Sequence, residues 1–209
     1  KQHTGIVDFG LGVMKHRNEF SIELQQEAMR LADKDMQTQG IVAVGDISNT
    51  NDSIKTKQQS DLYYHTFVEL IALNPERANL VFDTGKQLLS EYTKAQLSVS
   101  LAPHAPYSAS VELIKKITDD CLQLKKSTTI HNQESKAENE FFNSKSGDYL
   151  RLYETIKVPI DYFIATKKSS LLTTISSLNK DVNTLLVHNT FSSKEDIKTA
   201  NNEHQKLYW

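Results

Sequence analysis

Residues 97–131 read LSVSLAPHAPYSASVELIKKITDDCLQLKKSTTIH. Leu97 to Ala102 is an apolar-rich run that predicts a strand, and His104 follows it. Ser108 caps a predicted helix from Ala109 to about Lys125. Ser127 to His131 is a second β-rich run, again ending on a histidine. Two strands joined by one helix form a βαβ crossover, which sets the strands parallel.

The same unit recurs on both sides. Toward the N-terminus, Asn18 to Gln39 has helix-period apolar residues and is stopped by Gly40. Ile41 to Asp46 predicts a strand, residues 49–52 a turn-rich loop, and Tyr64 to Leu73 another strand. Asn74-Pro75 then starts a helix that runs to about Lys94. Toward the C-terminus, Ser135 to about Leu178 is polar and irregular, with two short helices. Asn183 to His188 is a strand, Ser193 to about His204 a helix, and Lys206 to Trp209 the start of a sixth strand.

Units of roughly 25–35 residues suit a (β/α)8 TIM barrel or a doubly wound sheet. No GxGxxG follows the first strand, so the dinucleotide-binding fingerprint is missing. Asp46, His104, His131 and His188 stand at the C-terminal ends of four strands. A barrel gathers such ends on one active-site face, and the expected fold is therefore α/β and barrel-like.

Composition narrows the function classes. The chain has 209 residues, 38% hydrophobic and 24% charged, as in a soluble globular protein. With 24 basic and 26 acidic side chains the net charge is −2, which argues against a nucleic-acid partner. No apolar run approaches the roughly 20 residues of a membrane span, and no signal-peptide core follows Lys1. Cys121 is the single cysteine, which fits a reducing compartment and a cytoplasmic location; its helix position reads as packed rather than reactive. Lys55 to Lys57 reads as a solvated charge run. The chain opens on Lys1 and stops at Trp209 inside an apolar-aromatic run, so we expect a piece of a longer protein.

Imidazole is the usual ligand of zinc and other borderline metals and titrates near neutrality. One histidine at a strand end is more often structural, but three at equivalent ends of successive units point to a site. Glu134, three residues beyond His131, is placed to move a proton near a metal site. Its plainer reading is a carboxylate favoured by the N-terminal dipole of the following helix.

These segments together resemble the amidohydrolase superfamily. The residues that carry the likeness are GIVAVGDIS at 40–48, PHAPYS at 103–108, IHNQES at 130–135 with Glu138 and Glu140-Phe141, and LVHNT at 186–190. The branch is that of cytosine, adenosine-nucleoside and chlorotriazine deaminases or hydrolases. The resemblance implies a (β/α)8 barrel with one divalent metal ion, zinc foremost, with iron or manganese as alternatives. It makes His131 a metal ligand, Glu134 the proton shuttle, His188 the residue beside the attacking water, and His104 a substrate contact. Asp46 would tie the barrel mouth together.

Both ends depart from that pattern. The family's His-x-His pair is absent, and His3 and His16 have neither its spacing nor its strand. The family's late aspartate ligand is absent too. The whole chain, 1–209, then corresponds to about strands 2–6 of the barrel. A catalytic zinc uses about three protein ligands, so this stretch alone is not expected to hold the metal tightly. The implied activity of the complete protein is deamination of an aminated heterocycle by metal-activated water, acting on a small-molecule substrate. Leu97 to Ala102 holds no lysine to bridge two metals, which favours one ion over a ring-opening binuclear site. The alternatives are a cyclic-amide hydrolase or a non-catalytic ligand-binding barrel. Strand edges left bare are expected to pair with another copy.

Overall fold

The computed structural model describes residues 5–16 and 19–209. The helix start expected at Asn18, and His3, lie outside the described residues. Among these residues six strands form, β1 (Ala43–Ser48), β2 (Tyr63–Leu70), β3 (Ser98–Pro103), β4 (Thr128–Asn132), β5 (Thr184–His188) and β6 (Leu207–Tyr208). All the ladders are parallel, in the orders β1-β2-β3 and β4-β5-β6. The two sheets meet where His131 N–H donates to His104 O at 2.9 Å and Thr128 Oγ1 donates to Leu101 O at 2.9 Å. Spatial order therefore follows chain order without the reversal a doubly wound sheet requires. The fold is an α/β arc of parallel strands, as a partial barrel demands.

The helices are α1 (Ile6–His16), α2 (Ile22–Thr38), α3 (Ile54–Gln58), α4 (Ala78–Lys94), α5 (Val111–Gln123), α6 (Lys136–Ser144), α7 (Tyr149–Thr155), α8 (Ser170–Thr174) and α9 (Lys194–Glu203). Among the described residues no helix is long and apolar enough to cross a membrane. Val68, Leu101, Ile130 and Leu186, one from each of β2 to β5, share a buried cluster with Tyr92 of α4 and Leu113, Ile117 and Cys121 of α5. Strands covered by helices bury their residues, which explains the near-continuous apolar runs in the sequence. Serine caps start the elements: Ser21, Ser110, Ser135, Ser169 and Ser193 each accept a backbone N–H from the first turn.

Several expectations are corrected. Ser110, not Ser108, caps α5, because Ser108 is taken by His104. Lys57 is not solvated; it is buried, pairs with Asp46 and donates to Thr66 Oγ1 at 2.8 Å. The ammonium is satisfied by those two partners and by the Tyr92 face 5.0 Å away. The 135–178 stretch holds α6, α7, α8 and a 3-10 turn at Ile175–Ser177, more helix than its polarity suggested. It builds a second core in which Phe141 stacks on Phe163 at 4.3 Å, joined by Tyr149, Tyr153 and Val7 of α1. Helix α1 was not foreseen, because Gly10 and Gly12 weaken its propensity.

Candidate active site

The C-terminal ends of β3, β4 and β5 open on a cavity of about 300 Å³ whose lining includes His104, His131, Glu134 and His188. Ile6, Val7, Phe9 and Val13 of α1, with Ile71, form its apolar wall. The four side chains picked from the sequence for a site thus meet in one place.

His104 follows the last residue of β3 and is clamped on both sides. Its N–H donates to Leu70 O at 3.1 Å, and its carbonyl accepts from His131 N–H. Nδ1 lies 2.6 Å from Ser108 Oγ, and that hydroxyl donates its proton to Ala105 O at 3.2 Å. With the hydroxyl donating to Ala105 O it accepts from the ring, which corresponds to the tautomer with hydrogen on Nδ1 and a lone pair on Nε2. Burial pushes the imidazole below its usual pKa, partly opposed by the Glu69 charge.

His131 lies within β4, its ring centroid 5.4 Å from His104 and 5.1 Å from His188. Its Nδ1 is buried without a hydrogen-bond partner among the described residues, and Nε2 is 3.6 Å from Glu69 Oε1. His188 ends β5 in the left-handed region, at φ 78°. For a residue with a Cβ that conformation carries strain, a feature that clusters at functional sites. Asn189 holds it there, with N–H donating to Asn132 O at 2.9 Å and Nδ2 donating to Leu186 O at 2.8 Å.

Glu134 sits two residues past β4, with Oε1 3.7 Å from His188 Nε2. Its loop is tied down by buried Glu138, whose carboxylate accepts from Gln133 N–H at 2.9 Å, from Glu134 N–H at 3.1 Å and from Ser170 Oγ. Burial raises the Glu138 pKa, outweighing those donors. Asp46 is not in this group, since its carboxylate is committed to Lys57. Burial also pushes the Cys121 thiol up to about 12, which keeps it protonated and inert.

Glu69, in β2, is the site residue the sequence reading missed. A carboxylate inside the apolar run Phe67 to Leu73 was the available signal. Glu69, His104 and His131 bring a possible ligand atom each to within 4.8 Å of one another. Two imidazoles and a carboxylate are donors that zinc, iron and manganese all accept, so the residues present fit a divalent ion.

The family model described as "Amidohydrolase family" matches residues 9–207. A search of curated proteins finds an aminodeoxyfutalosine deaminase of Nitratiruptor sp., 24% identical over 163 residues, covering 77% of this chain and 39% of the relative. It also finds an adenosine deaminase of Helicobacter pylori, 24% identical, covering 95% of this chain and 48% of the relative. Among solved structures, the Helicobacter pylori aminofutalosine deaminase in complex with methylthio-coformycin is similar at a TM-score of 0.72, 23% identity, 86% of this chain and 43% of that one. A mutant atrazine chlorohydrolase TrzN from Arthrobacter aurescens, complexed with zinc and atraton, is similar at a TM-score of 0.71, 10% identity, 99% of this chain and 47% of that one. The chain thus spans less than half the length of these relatives.

Proposed function

The chain belongs to the amidohydrolase family, and on that premise we propose that it is part of a metal-dependent hydrolase that deaminates an aminated heterocycle. The observation that carries this reading is the placement of Glu134 against His188, beside His131, at one cavity. The two curated relatives, each called a deaminase, support it. His131 would hold the ion, zinc before iron or manganese. When bound, such an ion supplies Lewis-acid polarisation of water or substrate.

The chain's own residues have distinct tasks in this reading. The Glu134 carboxylate takes a proton from the attacking water and returns it to the departing amino nitrogen. Water adds at the ring carbon, the C–N bond breaks and ammonia leaves, so the ring gains oxygen and loses nitrogen. His188, its Nε2 3.7 Å from Glu134 Oε1, would face the incoming oxygen alongside that carboxylate. His104 presents its free Nε2 as an acceptor for a substrate N–H or hydroxyl, its Nδ1 being fixed by Ser108. Helix α1 excludes water from one wall.

The test is metal content and ammonia release in the complete protein, wild type beside His131→Ala. We expect about one ion per chain and ammonia from aminated purines, pyrimidines or triazines, both lost in the variant. A metal-free wild type that releases no ammonia would sink the catalytic reading and leave a ligand-binding barrel.

A further inference from the structure

The two side chains paired in the proposed reaction come from different loops. Glu134 follows β4 and His188 ends β5, so their 3.7 Å separation depends on how those loops are joined. Gln133, immediately before Glu134, joins them through both its backbone and its side chain. Its carbonyl accepts from Phe191 N–H at 3.2 Å. Its Oε1 accepts from Ser192 Oγ, just beyond His188. Its Nε2 donates to Asn139 Oδ1 of α6 at 3.1 Å, and Asn139 Nδ2 donates on to Phe191 O at 3.3 Å. The Gln133 side chain is 0% exposed and does not line the cavity, so it cannot touch a substrate there.

The turn by itself gives no reason for glutamine. Gln133 lies at φ 48°, a conformation that glycine adopts without strain. A buried amide also costs free energy unless it is hydrogen-bonded. Here both ends of the amide are engaged, one of them by the loop after β5. Asn132 makes the contrast: it is equally buried, but its amide atoms have no partner among the described residues. Asn132 contributes its carbonyl alone, to Asn189 N–H at 2.9 Å. A proton-carrying group must be held to within about 0.5 Å of its productive place. We propose that Gln133 is a positioning residue: its buried amide locks the loop carrying Glu134 to the loop after His188 and so sets the spacing of those two side chains. The proposal rests on the hydrolase reading above and deepens it, since it names a residue that acts through Glu134 without meeting the substrate.

The experiment measures ammonia release and backbone amide exchange in the complete protein, wild type beside Gln133→Met, Ser192→Ala, Ser192→Thr and the Gln133→Met/Ser192→Ala double variant. The substrate is whichever of the aminated purines, pyrimidines and triazines the wild type turns over. In Gln133→Met, kcat should fall by about 10–100-fold, the scale of a misplaced catalytic group, with KM changed by less than about 2-fold. The Phe191 amide should exchange about 10-fold faster, as one weakened tie allows, while the amides of β5 hold. Ser192→Ala should lower kcat in the same direction, and Ser192→Thr, which keeps the hydroxyl, should recover most of that loss. The double variant should be no slower than Gln133→Met, because both changes remove one shared bond. Ser192 is only partly buried, so its variants keep the test open if Gln133→Met does not fold. Faster exchange at Phe191 with kcat unchanged, or a rise in KM alone, would make Gln133 a structural tie and overturn the proposal while the hydrolase reading stood. A wild type that releases no ammonia would overturn the hydrolase reading and this role with it.

Discussion

Glu134 has two lives open to it in this fold: a charge at the start of α6, or a proton carrier beside His188. The proposed function takes the second, and its test lies in the side chain 3.7 Å from His188 Nε2. Glu134→Gln keeps the shape and removes the proton-carrying oxygen pair. In the complete protein, on the proposed function, it should lower kcat by about 10²–10⁴-fold, the usual span for a general acid–base. Stability in urea should change by less than about 0.5 kcal/mol, since the side chain is partly solvated and anchors nothing. Unchanged kcat would return Glu134 to its electrostatic role. At this scale the sequence was informative about identity and silent about pairing. His104, His131 and His188 were legible because each ends an apolar run, while Glu69 was hidden inside one.

Among the elements, the link from β4 to α6 carries the most consequence for the site. Ser135 caps α6, and Glu138 reaches back to the N–H groups of Gln133 and Glu134. Gln133 is itself held at φ 48°, so this reach-back stabilises an unfavourable turn. Glu138→Ala should destabilise the protein by about 2–4 kcal/mol, because buried donors lose their acceptor, as read from urea denaturation. Its pH dependence has a definite sign. Burial raises the folded-state pKa above the unfolded one. The stabilisation linked to this shift is complete below the unfolded value and fades as pH rises through the folded value. Glu138→Gln should flatten that fall. The 135–178 region as an element was poorly legible, because its aromatic residues lie far apart in sequence and meet only when α6, α7 and α1 pack.

At the scale of the whole chain, the described strands form an arc from β1 to β6. Among the described residues β1 pairs only with β2, and β6 only with β5. Near the β1 flank, Leu24 and Leu31 of α2 are about half exposed and Val42 is 78% exposed. Open strand edges beside apolar surface recruit further strands. The 209-residue chain should therefore associate with rising concentration in sedimentation velocity, and a monomer persisting at about 100 μM, within the range where bare edges drive association, would refute this.

The sequence by itself determined the alternation of strands and helices, because apolar runs of two different periods need no tertiary partner to be read. It also determined three of the histidines, because the end of a buried strand is where a polar residue is least expected without a task. Only the tertiary structure decided which groups share a cavity. Lys57 became buried, Asp46 was withdrawn from the site to meet it, and Glu69 was delivered to His131. Those outcomes depend on the register between strands, Glu69 opposite Ala102 and His131 opposite Val187. Register is set by the packing of whole faces, and no local stretch of sequence contains it.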